Sequence, residues 1–226
     1  MADLVVVVPS RGRPGAAQAL IQHFKNTCTA DTLLAIAVDD DDPMRSEYLD
    51  IADGVRSGVL FQPTHSMGES LNRAAVLYAG HHSAVGFMGD DHMPRTVGWD
   101  QSYIDALREM GTGIVYGNDL LQGSRLPTQC AMTSNIISTL GYMAPPELIH
   151  LWLDNTWLRW GKAIGRLRYL PDVIVEHRHP LAGKAAWDEN YERVNRGEIP
   201  EKDAAAFEEY MRTRFDSDVA KLKALL

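Results

Sequence analysis

The chain has little of what fixes a small secreted fold, a membrane anchor or a standard nucleotide fingerprint. It contains two cysteines, Cys28 and Cys130, far apart and without metal-ligand spacing, so neither a disulfide framework nor a zinc site is indicated. No segment approaches the ~18 consecutive apolar residues of a membrane-spanning helix. The run Leu4-Val5-Val6-Val7-Val8 is too short for a signal h-region and meets Pro9 at once, so a cytoplasmic location is expected. The first polar loop, Pro9–Pro14, holds neither Gly-x-Gly-x-x-Gly nor Gly-Lys-Ser/Thr, which indicates neither a dinucleotide fold nor a P-loop. There is no internal repeat and no low-complexity stretch.

Basic charge is also scarce. The net charge of −8 argues against a simple nucleic-acid-binding module. Residues 1–187 carry 15 Lys/Arg and 20 Asp/Glu, but seven of those acids (Asp39 to Asp42, Asp90, Asp91 and Asp154) fall in the candidate site described below. The remainder is close to neutral, so a polyanionic acceptor is disfavoured rather than excluded.

What the chain does have is apolar content, 45% over 226 residues, enough to bury a full core in one domain with or without an appendage. The first half alternates apolar runs with helical patterns, the mark of an α/β fold with parallel strands. Strands are expected at Leu4–Val8, Leu33–Val38, Val59–Phe61, Ala84–Met88, Gly113–Tyr116, Leu167–Leu170 and Val173–Val175. Helices are expected to start at Pro14 and Pro43 and to stop at Gly54 and Gly80, with further helices at Met67–Tyr78, Gly98–Met110, Ser134–Leu140 and Asn155–Gly161. Residues 118–146 read as loops around the Ser134–Leu140 helix. From Pro200, the spacing of Phe207, Tyr210, Met211, Phe215, Val219, Leu222 and Leu226 predicts an amphipathic helix that packs on its own core or a dimer partner.

Two strand ends are loaded with acid. Asp90-Asp91-His92 follows the apolar run Ala84–Met88, and Asp39-Asp40-Asp41-Asp42 follows Leu33–Val38. Adjacent carboxylates at a buried strand end repel unless a cation lies between them, and hard Mg2+ or Mn2+ suits carboxylate oxygen. The four-aspartate run reads equally as a solvated turn capping the next helix, or as a contact to a nucleobase or ribose. Pro9-Ser10-Arg11-Gly12-Arg13-Pro14 is either an ordinary surface loop or a diphosphate site, where backbone N–H groups, the helix dipole and two arginines favour anions. Glu176-His177-Arg178-His179 ends the last apolar strand, and its His-x-His spacing puts both rings on one face. Asp154, among Trp152, Trp157 and Trp160, either caps a helix or serves as a general base with a raised pKa. The tryptophans read as core more readily than as a sugar-stacking platform.

In order, these pieces resemble a GT-A glycosyltransferase of the family 2 type: Val5–Arg13, Val38-Asp39-Asp40, Gly68 with Asn72, Gly89-Asp90-Asp91-His92, Asp154 with Arg159 and Gly161, then Tyr169-Leu170-Pro171 and Val175-Glu176-His177. The resemblance covers residues 4–180 and is carried by the ordered set, since each motif alone is short. It implies a mixed, mainly parallel sheet flanked by helices, with residues 1–185 as the catalytic domain and 186–226 as a helical extension. It implies that Pro9, Ser10, Arg11, Arg13, Asp39, Asp41, Asn72 and Asp90 bind a nucleoside-diphosphate-sugar, a UDP-sugar being favoured. Asp91 with His177 or His179 would hold Mn2+ or Mg2+, and Asp154 would be the catalytic base of an inverting transfer. The acceptor is left open among glycan, protein and hydroxymethylated DNA. Two positions depart from the pattern: His92 replaces the second aspartate of Asp-x-Asp, and Leu153 replaces the acid that precedes the catalytic aspartate. Compact enzymes of this type resemble those carried by bacteriophages, which would place this one in the host cytoplasm. The rival readings are a sugar nucleotidyltransferase, whose glycine-rich loop with a Thr-Arg pair is missing at Pro9–Gly15, a non-catalytic nucleotide-sugar or glycan-binding module, and a metal-dependent hydrolase built on His177 and His179.

Overall fold

Continuous runs of buried valines, leucines and alanines, alternating between the two faces of the sheet, build the centre of the molecule. In the computed structural model, which describes residues 3–51, 57–180, 183, 191, 192, 194 and 197–226, strand β1 (Leu4–Ser10) points Leu4, Val6 and Val8 into one apolar layer and Val7 into the other. Its neighbours are β2 (Thr32–Asp39) and β4 (Ala84–Phe87), both parallel to it, and β3 (Ser57–Gln62) extends the parallel half beyond β2. The other half is mixed. It holds β5 (His92–Pro94), β6 (Ile114–Asn118), β7 (Cys130–Thr133) and β8 (Leu167–His177), and the sheet order is β3-β2-β1-β4-β7-β6-β8-β5. Parallel strands end on one edge, so Ser10, Asp39 and the residues after Phe87 meet there.

Helices α1 (Pro14–Thr27), α2 (Arg45–Ile51) and α4 (Trp99–Met110) cover one face of the sheet. The other face carries α3 (Met67–Ala79), α5 (Ser134–Leu140), α6 (Leu153–Ala163), α7 (Ile199–Thr213) and α8 (Phe215–Lys223). This is the α/β architecture expected, with corrections of detail. Strands β5 and β7 lie where loops are expected, since three- and four-residue strands carry almost no periodic signal. The two expected strands after Gly165 form one strand, β8, whose register with β6 shifts after Gly117 and whose Pro171 and Asp172 are exposed. Helix α2 starts at Arg45 rather than Pro43, because Asp42 turns the chain first: its carboxylate accepts from Met44 N and its carbonyl from Arg45 N. The expected stop at Gly54 lies outside the described residues.

The tail breaks into two helices at Arg214. The break lets Phe207 and Tyr210 of α7 and Val219 and Leu222 of α8 enter the same buried layer. No helix among the described residues is long and apolar enough to cross a membrane.

Candidate active site

The acidic turn after β2 divides its labour. Asp39 accepts from Thr64 (2.6 Å) and Arg11 (2.9 Å), while the exposed Asp41 takes the second bond of Arg11. Asp42 is buried and holds Gly12 N (2.8 Å), which fixes the Arg11–Arg13 loop against the turn. Asp41 is therefore drawn onto Arg11 and stands outside the cavity lining.

Asp90 is buried under the same loop. Ser10 donates to one of its oxygens (2.7 Å) and Arg13 to the other (3.2 Å), while Tyr48 bonds Ser10 Oγ at 2.8 Å. Burial, with Asp91 next to it, raises the Asp90 carboxyl to about 6. Asp91 faces the other way. Burial raises its pKa, but the imidazoles of His177 and His92 beside it outweigh that and hold it well below the usual carboxylate range. One strand tip thus carries two carboxylates in opposite environments. The Tyr191 hydroxyl donates to Asp91, and Arg13 lies 4.3 Å over the Tyr191 ring.

Antiparallel pairing sets His92 directly opposite His177, and their rings stack at 4.2 Å. Asp91, His92 and His177 offer ligand atoms all within 4.8 Å of one another. His177 Nε2 lies 3.2 Å from Asp91, and His177 Nδ1 and His92 Nε2 are buried without a hydrogen-bond partner. A carboxylate and imidazole nitrogens fit Mn2+ or a related divalent ion. His92 Nδ1 already accepts from Gly89 N (3.0 Å). The position that departs from the expected Asp-x-Asp is thus part of the cluster. His179 sits at 5.1 Å from the His177 ring and belongs to the cavity wall rather than to that cluster.

Pro9, Ser10, Arg11, Arg13, Asp39, Asp90, Asp91, Asp154, His177 and His179 line one cavity of about 350 Å³. Asn72 does not. Its side chain accepts from Met143 N and Ala144 N and donates to Ala144 O, so it clamps a loop instead of reaching a donor. Gly68 serves the same junction: a Cβ there would lie 2.1 Å from Leu148 O, and its N–H donates to Ile149 O.

Asp154 stands in the first turn of α6 and lines the cavity. Burial raises its carboxyl above the usual range, although Asn155 donates to it from both backbone and side chain. Trp152, two residues before it, has φ 68°, a strained conformation for a bulky residue, and its ring stacks on Phe207 at 4.8 Å. Trp157 and Trp160 are core anchors, donating to Met143 O and Tyr210 Oη. Three residues that sequence reasoning passes over also shape the site. Asp203 accepts from the N–H groups of Ile149, His150 and Leu151, Asp119 builds the 119–128 loop, and Tyr191 covers Asp91. Of these only Asp119 carries a local signal, a strand-end aspartate before Gly123.

A mixed sheet with its acidic tips, histidine pair and cavity on one edge defines a GT-A-type fold, the fold of nucleotide-sugar glycosyltransferases. Solved structures bear this out. TarS 1–349 from S. aureus in complex with UDP superposes with a TM-score of 0.58 at 12% identity, over 76% of this chain and 59% of that one. The mannosyltransferase PcManGT from Pyrobaculum calidifontis, in complex with GDP-Man and Mn2+, gives 0.63 at 11% identity, over 99% of this chain and 74% of that one. Glucosyl-3-phosphoglycerate synthase from Mycobacterium tuberculosis, in complex with Mn2+, UDP and glucosyl-3-phosphoglycerate, gives 0.56 at 14% identity, over 80% and 74%. The chain spans 59% of the length of TarS 1–349 and 36% of a longer TarS chain. No family model and no curated protein matches the sequence.

Proposed function

We propose that this protein is a metal-dependent, inverting glycosyltransferase. It moves a sugar from a nucleoside-diphosphate-sugar, UDP-sugar favoured, to a hydroxyl of a glycan, a protein or a hydroxymethylated DNA base. The observation that carries the reading is the placement of Asp154, a carboxyl raised by burial, and the Asp91–His177 pair, part of a donor set suited to a cation, on one cavity.

Asp154 accepts the proton of the acceptor hydroxyl, and its raised pKa makes it a better base than a solvated carboxylate. The oxygen so released attacks the anomeric carbon from the face opposite the leaving diphosphate. Ser10, Arg13 and Asp90 keep the β1 loop in shape on the donor side, and Asp39 faces the nucleoside. Asp91 and His177, with His92 beside them, hold Mn2+ or Mg2+. That ion, when bound, supplies Lewis-acid stabilisation of the charge on the departing diphosphate. The extension after residue 186 completes the acceptor side through Asp203 and Phe207, and the enzyme works in the cytoplasm, that of the host if a phage encodes it.

Thermal shift with UDP-, GDP- and TDP-sugars, each with and without Mn2+, tests the donor site. Ligand at ~100 times its dissociation constant adds about 2.7 kcal/mol, a rise of several degrees. Metal-dependent stabilisation by one nucleotide class is expected, and no shift with any of them overturns the reading. Slow donor hydrolysis without acceptor then separates an enzyme from a binding module.

A further inference from the structure

His177 sits between two carboxylates. Its Nε2 faces Asp91 at 3.2 Å, and its Nδ1, buried and without a hydrogen-bond partner, faces Asp119 Oδ2 at 3.9 Å. The backbone fixes this approach, because His177 N donates to Asp119 O at 2.9 Å where β8 leaves β6. Asp119 is itself buried at 1% exposure. Its Oδ1 accepts from Leu121 N, Gln122 N and Gly123 N at 3.0, 2.7 and 2.8 Å, and its Oδ2 from Thr128 Oγ1 at 2.7 Å. A carboxylate oxygen accepts two hydrogen bonds, so Oδ2 can take one more.

We infer that Asp119 is the positioning carboxylate of His177, holding the proton on Nδ1 so that bare Nε2 faces the metal site. This rests on the metal site proposed above. A neutral imidazole carries one proton, and a ligand nitrogen must be the bare one. The other N–H then needs an acceptor, which in metal sites is commonly a carboxylate. Asp119 is the carboxylate that Nδ1 faces, at 3.9 Å, and the same side chain shapes the loop from which Leu121, Gln122 and Thr128 line the cavity. One buried carboxylate thus sets both a metal ligand and a cavity wall.

The test is the affinity for Mn2+ alone, read by water-proton relaxation with and without UDP or GDP, for the whole chain and two variants. Asp119→Asn keeps an oxygen for the three backbone N–H groups but turns an amide N–H toward Nδ1, which drives the proton to Nε2. Mn2+ affinity is expected to fall 10- to 100-fold, while Arg125→Ala, which removes bonds to Leu121 O and Gln122 O in the same loop and spares the carboxylate, stays close to wild type. Equal affinity in Asp119→Asn and wild type overturns the inference and leaves the metal site standing. An equal loss in Arg125→Ala overturns it as well, since the loop rather than the carboxylate would then matter. A wild-type chain that binds no Mn2+ under either condition removes the metal site and this inference together. Should Asp119→Asn fail to fold, long-range 1H–15N NMR of the Mg2+-bound wild type decides, with His177 assigned by its loss in His177→Gln. A proton on Nδ1 supports the inference, and a bare Nδ1 overturns it.

Discussion

The two halves of the sheet build the site by different means. In the parallel half, β3-β2-β1-β4, each functional group follows directly on a buried apolar strand: Ser10 after Val8, Asp39 after Val38, Asp90 and Asp91 after Met88. Their contacts run among neighbouring strand tips. Elsewhere, side chains hold backbone instead: Asn72 on α3 reaches to 143–144 and Asp203 on α7 to 149–151, while Asp119 at the end of β6 holds 121–123 of its own loop. Strand tips present chemistry, whereas the far half fixes the wall that chemistry faces. The largest test of that division is Asp154, which belongs by position to the far half and by role to the chemistry. Asp154→Asn is expected to lower turnover by about 10²–10⁴-fold while donor affinity, read by calorimetry, stays near wild type. Unchanged turnover would sink its role as base.

Next in size is a variant that removes a clamp. Asp203 is fully buried and accepts three backbone N–H groups at 2.7–2.8 Å. Asp203→Ala leaves those donors unpaired, which costs about 2–4 kcal/mol, a fall of ~5–15 °C in Tm. Because residues 149–152 lead into α6, transfer to acceptor should suffer more than donor binding. If donor affinity falls as far as transfer does, the two halves are not separable and the comparison breaks.

This division also explains what could be read from the sequence. Pro9–Arg13, Asp39, Asp90, Asp91 and His177 were legible because a polar group at the end of an apolar run is a local pattern, and sheet topology then brings those ends together. Asn72 misleads for the same reason: it sits in helical sequence facing the right edge, yet its partners at 143–144 lie 71 and 72 residues away. Asp203 has no signal at all, since an acid on an amphipathic helix normally faces water. His92 reads as a departure from a motif, and only the β5–β8 register, which sets it across from His177, brings it into the cluster. The break at Arg214 is equally invisible, because Arg214 has good helix propensity and the turn is imposed by packing of Phe207, Tyr210, Val219 and Leu222 in one layer.

A pH profile is the third test. Burial raises the carboxyl of Asp154, and a general base works only when deprotonated. Transfer should therefore fail as pH falls, up to about tenfold per unit below the midpoint, with that midpoint above the ~3.9 of a free aspartate. In Asp154→Asn the residual rate should lose this acid limb. An acid limb that persists in the variant would assign it to another group at the strand tips.

The smallest effect is expected at the rim of the parallel half. Arg11 bonds Asp39 and Asp41, but its side chain is 34% exposed and that of Asp41 53%. Exposed pairs of this kind add little to stability, because water screens the charges and both chains lose freedom. Arg11→Met should shift Tm by no more than about 2–4 °C, well short of Asp203→Ala, and affect donor binding instead. Without Arg11, Asp39 keeps its bond from Thr64, so the β2 side of the cavity retains its shape while losing positive charge. The difference between the two variants measures the comparison directly: a strand-tip cation acts on the ligand, and a remote carboxylate acts on the fold. A large Tm loss in Arg11→Met, equal to that of Asp203→Ala, would mean that the tips are themselves structural clamps.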